Sequence, residues 1–160
     1  PIVFVFQDIT GGTRAFRLAL PVSPAEYAAA KLAAGALLFL IPAAAAALAV
    51  ALTPETQRLF PPGLVLLMLL GWLIFFVQNL GLALLTESSG VTIAALLAEI
   101  FVVGNGALIL APRVPGLLRV WGGLESGGPV RDLAFALLTL ELAGVVTLIL
   151  FLMNRKRRFA

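Results

Sequence analysis

The feature that most constrains this chain is Leu32 to Leu52, a run without a single charged side chain that is long enough to cross a bilayer. Three further apolar runs follow, Gly63 to Leu85, Val91 to Ala111 and Leu133 to Met153, the last two each holding a single glutamate, so the pattern repeats to the end of the sequence. Only 12% of the 160 residues are charged, 61% are hydrophobic and the mean hydropathy is +1.09. A soluble domain carries about 25% charged residues, so this composition belongs to a membrane protein. The expected fold is an all-α membrane protein, one transmembrane domain over residues 1–160 with about four spans of roughly 20 residues.

Ahead of the first full span the chain changes character. Pro1 to Phe6 is apolar but too short to span, and residues 1–10 read as the end of a preceding span leaving the bilayer at Gln7 and Asp8. Residues 13–20 then fit two turns of a short amphipathic, interfacial helix, with Arg14 and Arg17 on one side and Phe16, Ala19 and Leu20 on the other. Pro21 ends it, because the residue before a proline is pushed away from helical geometry.

Ser23-Pro24-Ala25-Glu26 has the form of a helix start: a hydroxyl at the N-cap, proline at N1 and glutamate at N3 reaching back. Val22 and Tyr27 occupy the positions of a hydrophobic staple. This helix is predicted to run over 24–52, with Lys31 snorkelling to the interface and Pro42 introducing a kink. Thr53-Pro54-Glu55 opens a brief polar excursion that closes at Pro61-Pro62. The next spans are expected at 63–85 and 91–111, and the few residues between them force an antiparallel pair. A polar, glycine-rich segment from Arg113 to Arg131 leads to the last span at 133–153, and the basic tail 154–160 stops it.

Lys and Arg are distributed unevenly between the two sides of such a bundle. Arg14, Arg17, Lys31 and the cluster Arg155-Lys156-Arg157-Arg158 share one side, while Arg58, Arg113, Arg119 and Arg131 share the other. The positive-inside rule therefore expects both ends in the cytoplasm. The basic cluster reads as a stop-transfer signal or a contact for anionic membrane lipids. The net charge of +3 is small, and nucleic acid is not an expected partner.

The chain has no cysteine and no histidine, which excludes disulfides, thiolate chemistry and the commonest general base and metal ligand. No Walker loop is present, so an ATPase is not expected, and no cofactor, metal or catalytic set is expected either. Chemistry would have to rest on carboxylates. Glu99 and Glu141 each fall about halfway along a predicted span, where an ionised carboxylate costs roughly 2.5 kcal/mol or more on insertion scales. One reading is a proton relay or a site for a cationic substrate. The other is a neutral acid hydrogen-bonded to a neighbouring helix, through Asn105, Gln78 or Thr139. Gln78 and its neighbour Asn79 read as interhelical hydrogen-bond partners, and Gly104 and Gly106 around Asn105 permit a close helix crossing or a local unwinding.

The stretch Gly12 to Leu32 resembles a segment of the ABC-2 type of ABC-transporter permease, of the form G-T-L-E-L-L-L-S-L-P-V-S-R-R-E-Y-x-x-G-K-L. Gly12-Thr13, Leu18, Leu20-Pro21-Val22-Ser23, Glu26-Tyr27 and Lys31-Leu32 match it without a gap, and Ala15, Arg17 and Ala30 depart from it. The resemblance implies that residues 13–20 are a cytoplasmic coupling helix that docks on an ABC ATPase subunit, with Arg14, Phe16, Arg17, Leu20, Pro21 and Ser23 at the contact. It further implies six spans in all, of which this chain lacks the first and most of the second. A second permease copy, as a homo- or heterodimer, and a bacterial or archaeal plasma membrane follow from the same resemblance, as does ATP-driven export. The alternative expectation is a non-catalytic accessory or scaffold subunit of a larger membrane complex.

Overall fold

The computed structural model describes residues 23–110 and 115–155. Among them the chain is entirely helical: α1 (Pro24–Leu52), α2 (Pro54–Leu59), α3 (Pro62–Thr86), α4 (Ser89–Leu110), α5 (Pro115–Ser126) and α6 (Pro129–Arg155). Five of these six helices begin with proline, where the missing N–H is one the first turn would leave unsatisfied anyway. The exception is α4. Three helices, α1, α3 and α6, are long and apolar enough to cross a membrane, and α4 carries a shorter apolar stretch at Gly90–Val102.

The helix over 24–52 starts and stops where the sequence places it, and it continues through Pro42 as one element. Against the predicted spans, the helix at Pro62–Thr86 is longer by one residue at each end, that at Ser89–Leu110 starts two residues earlier, and that at Pro129–Arg155 starts four residues earlier and ends two later. Two elements are additions. The excursion after Thr53 contains the short helix α2, and the glycine-rich segment contains α5, twelve residues long. The glycine pair Gly127 and Gly128, both at positive φ, turns the chain sharply from α5 into α6. The predicted interfacial helix over 13–20, the span end at 1–10 and the tail beyond Arg155 lie outside the described residues.

The hub is α3, which packs most extensively on α6 and α1 and then on α4. Close contacts fix the directions. Gly35 of α1 meets Leu80 and Phe76, while Phe39 of α1 stacks on Phe76 with ring centroids 5.4 Å apart, so moving forward in α1 moves backward in α3. The two helices are antiparallel. Gly63 lies under Arg131 of α6 and Gly81 under Ile149, so α3 and α6 advance together and are parallel neighbours. A Cβ at Gly81 would stand 2.6 Å from Ile149 Cγ1, and one at Gly35 would stand 2.6 Å from Leu80 Cδ2. Glycine at these two points is what lets the backbones approach, the usual device where lipid gives helices no hydrophobic reason to associate.

The packed core sits toward one end of the bundle. Ala28 and Leu32 from the start of α1, Val77, Leu80, Ala83 and Leu84 from the last turns of α3, and Ile149 and Met153 from the end of α6 form it, with Leu80 and Met153 fully buried. Contacts of this density supply dispersion energy that lipid tails cannot match at a rigid, shaped surface. The outward faces are apolar in the opposite sense: Ile41, Leu52, Phe101 and Leu140 are among the exposed large side chains. In a soluble protein so much exposed apolar surface would aggregate; against hydrocarbon it is the expected lining.

Candidate functional site

Two places in the fold carry polar chemistry that the bundle has to accommodate: the tight hairpin between α3 and α4, and the capped start of α1. The hairpin is closed by Glu87 and Ser88. Glu87 takes the left-handed conformation at φ 51°, and its N–H donates to the Ala83 carbonyl, which ends α3. Ser88 starts α4, its carbonyl accepting both the backbone N–H and the side-chain hydroxyl of Thr92, at 3.1 and 2.9 Å. So short a connection leaves α4 no choice but to turn back along α3.

Counting away from that turn at 1.5 Å per residue, Asn79 and Glu99 stand about 10–15 Å into their helices, well away from the turn itself. The structure brings them together. Asn79 Nδ2 donates to Glu99 Oε2 at 3.1 Å and to the Phe75 carbonyl at 2.9 Å. The Phe75 carbonyl can only accept, so it takes the amide nitrogen, which fixes the orientation of the amide group. Its oxygen is therefore left on the other side. Asn79 is 4% exposed, and its Oδ1 is buried without a hydrogen-bond donor among the described residues. Glu99 is half-buried, and neither α3 nor α4 carries a Lys or Arg. Glu99 is also the only charged residue on either helix.

The other polar positions singled out by sequence behave differently. Asn105 is exposed, and its amide donates at 3.0 Å to the Phe101 carbonyl of its own helix. Thr139 donates within α6, to the Phe135 carbonyl at 2.7 Å. Gln78 is half-buried beside Asn79. Glu141 is exposed, on the part of α6 that also exposes Leu137 and Leu140. The fold thus joins Glu99 to Asn79 and leaves Glu141, Asn105 and Thr139 apart from that pair. Asn79 had a signal in the sequence: in a hairpin turning at about residue 87, residues 78–79 fall within about two turns of the level of Glu99. The sequence points instead to Asn105, Gln78 or Thr139 as the partner of such an acid and passes over Asn79, because α3 is apolar on all sides and nothing marks which of the adjacent Gln78 and Asn79 faces α4.

At the start of α1 the local chemistry is the one the sequence spells. Ser23 Oγ accepts from the Glu26 N–H at 3.2 Å and Glu26 Oε2 accepts from the Ser23 N–H at 2.6 Å, a reciprocal capping box. The Lys31 ammonium lies 5.8 Å from the centroid of the Tyr27 ring, one turn on. Ala28 and Leu32 in this same stretch are buried in the core against α3 and α6. The capped end is therefore seated in the bundle rather than frayed from it. Arg14, Phe16, Arg17, Leu20 and Pro21 lie outside the described residues.

Among the described residues no group of three or more acidic, histidine or cysteine side chains is placed to hold a metal ion. No protein-family model, curated protein or solved structure matches the chain.

Proposed function

We propose that the chain is the transmembrane permease subunit of an ABC-2 type exporter, in which a partner ATPase drives export through the segment ahead of α1. The reading rests on the sequence pattern over Gly12 to Leu32, and one structural observation supports it best. The helix that follows the pattern is rigidly capped at Ser23, and its first turns pack directly on the ends of α3 and α6 through Ala28 and Leu32. A push delivered at Leu20-Pro21 would reach three helices at once.

Four crossings fit the helix directions. Parallel neighbours such as α3 and α6 need an odd number of crossings between them, and α5, at about 18 Å, is too short to provide one. That leaves α4. Both ends of the chain then face the side that carries the excess of Lys and Arg, which the positive-inside rule makes the cytoplasm. ATP-driven closure of two ATPase subunits moves the segment at 13–20, and α1 tilts with α3 and α6 against a second permease copy.

Purified with its ATPase and reconstituted, the full-length protein with Leu20→Gly and Pro21→Gly should hydrolyse ATP without coupled transport. Wild-type coupling in that variant would sink the assignment. Co-purification of a stoichiometric complex with no ATPase in it would favour an accessory subunit instead.

A further inference from the structure

The first turn of α6 carries a guanidinium that the fold seats in one place and leaves without an acceptor. A Cβ at Gly63, the second residue of α3, would stand 2.5 Å from Arg131 Nη1 and 2.8 Å from its Cζ. One at Gly127, in the turn between α5 and α6, would stand 3.0 Å from Cζ and from Nη2. Bare backbone on two elements therefore fixes where the group lies. Among the described residues Arg131 makes no hydrogen bond or ion pair, and the acidic groups nearest it in sequence, Glu125 and Asp132, are exposed and not bonded to it. A guanidinium keeps its charge at any ordinary pH, and it presents five N–H donors.

The place is reachable and has a definite height. Arg131, Gly63 and Gly127 are half-buried, while Pro62, Gly128 and Pro129 around them are exposed. At 27 residues α6 is about 40 Å from end to end, close to the thickness of a bilayer counted with its headgroups. Set across a membrane, its first turn and that of its parallel neighbour α3 stand among the headgroups rather than in hydrocarbon. The acceptors abundant at that height are lipid phosphates and water.

We propose that Arg131 binds the phosphate group of a membrane phospholipid, with the guanidinium held against Gly63 and Gly127. Two parallel N–H groups of the fork match two oxygens of one phosphate. Seating the guanidinium beforehand removes part of the ordering cost that a freely rotating arginine bears on binding. Water satisfies the same donors but brings no negative charge, and the charge is what the fold leaves unbalanced. The proposal does not rest on the exporter reading, since it requires only that α3 and α6 cross a membrane.

The test uses the full-length protein in phosphatidylcholine nanodiscs. One sample is doped with a phosphatidylglycerol that carries a diazirine near the carboxyl end of one acyl chain, and the other with the diacylglycerol of the same chains, which has no phosphate. After photolysis the cross-links are located by peptide mass. The phospholipid should mark residues 61–65 and 126–132 at least about tenfold more than the diacylglycerol does, the size of one charge-assisted hydrogen bond. Arg131→Gln should lower that yield by a similar factor and leave the yield at the basic tail 154–160 unchanged, an internal check that the variant is inserted as the wild type is.

Equal marking by the two lipids would overturn the proposal, and so would an undiminished yield at these residues in Arg131→Gln. Suppression of the marking by millimolar inorganic phosphate would give the site to soluble phosphate and overturn the lipid assignment. The two lipids are compared on the wild-type protein, so a variant that fails to fold does not obscure the result.

Discussion

Glu99 and Glu141 are the same residue at the same kind of place, near the middle of a long apolar helix, and the fold treats them in opposite ways. Glu99 on α4 is half-buried and bonded across to Asn79 on α3. Glu141 on α6 is exposed, next to Leu140 at 70% exposure and one turn from Gly144, where an added Cβ would meet nothing within 4 Å. Depth in the bilayer is therefore not what decides the fate of a carboxyl group. Helix rotation decides it: α6 spends its inner face on Ile149 and Met153 in the core, and Glu141 falls at the edge of that face, exposed. Glu99 falls on the side of α4 that the tight hairpin presses against α3.

The contrast can be broken or sharpened by substitution, and the largest effect is expected at the pair itself. Asn79→Asp removes the amide donor that serves both Glu99 and the Phe75 carbonyl, at a cost of about 1–3 kcal/mol from the acceptors left without it. Thermal unfolding in micelles should register it as a clear drop, and an unchanged midpoint would mean the two side chains do not meet.

A smaller effect is expected from the packing that turns α6. Gly81→Val drives a side chain into Ile149 and should cost about 2 kcal/mol by overpacking, whereas Gly144→Val on the outer face should stay within about 0.5 kcal/mol. Equal losses at the two glycines would show that the outer face of α6 is not open. The smallest effect is expected for Glu141→Gln, within about 0.5 kcal/mol in the isolated subunit, measured by the same unfolding midpoint. A loss as large as that of Asn79→Asp would erase the distinction between the two carboxyl groups.

How much of this was legible beforehand varies along the chain for physical reasons. The start of α1 was spelled by Ser23, Pro24 and Glu26, because capping is a local hydrogen-bond arrangement that needs only adjacent residues. The long helices were legible from the apolar runs, since a run of apolar residues is itself a local property, and three of them are long and apolar enough to cross a membrane. The helix α5 was not, because Gly116, Gly122 and Gly123 lower helix propensity by about 1 kcal/mol each and gave that segment the look of a loop. The partner of Glu99 was missed: the sequence suggested Asn105, Gln78 or Thr139 for such an acid, and the structure joins it to Asn79. Gln78 and Asn79 are adjacent on a helix that is apolar all round, so no stripe marks which of the two faces α4. That choice is made by the hairpin turn at Glu87 and by the contacts of Gly35 and Gly81, which set the rotation of α3 from both sides. Such information is distributed over three helices and cannot be read from one.

The absence of cysteine from the whole chain makes one measurement of the central contrast unusually clean. Two double variants, Asn79→Cys with Glu99→Cys and Asn79→Cys with Glu141→Cys, are reconstituted and treated with a methanethiosulfonate cross-linker of two-carbon reach, and intramolecular links are scored by mass after proteolysis. The account predicts rapid linking in the first variant and none in the second, because Glu99 is bonded to Asn79 whereas Glu141 is exposed on α6. Linking at equal rates in both, or in the second alone, would contradict it.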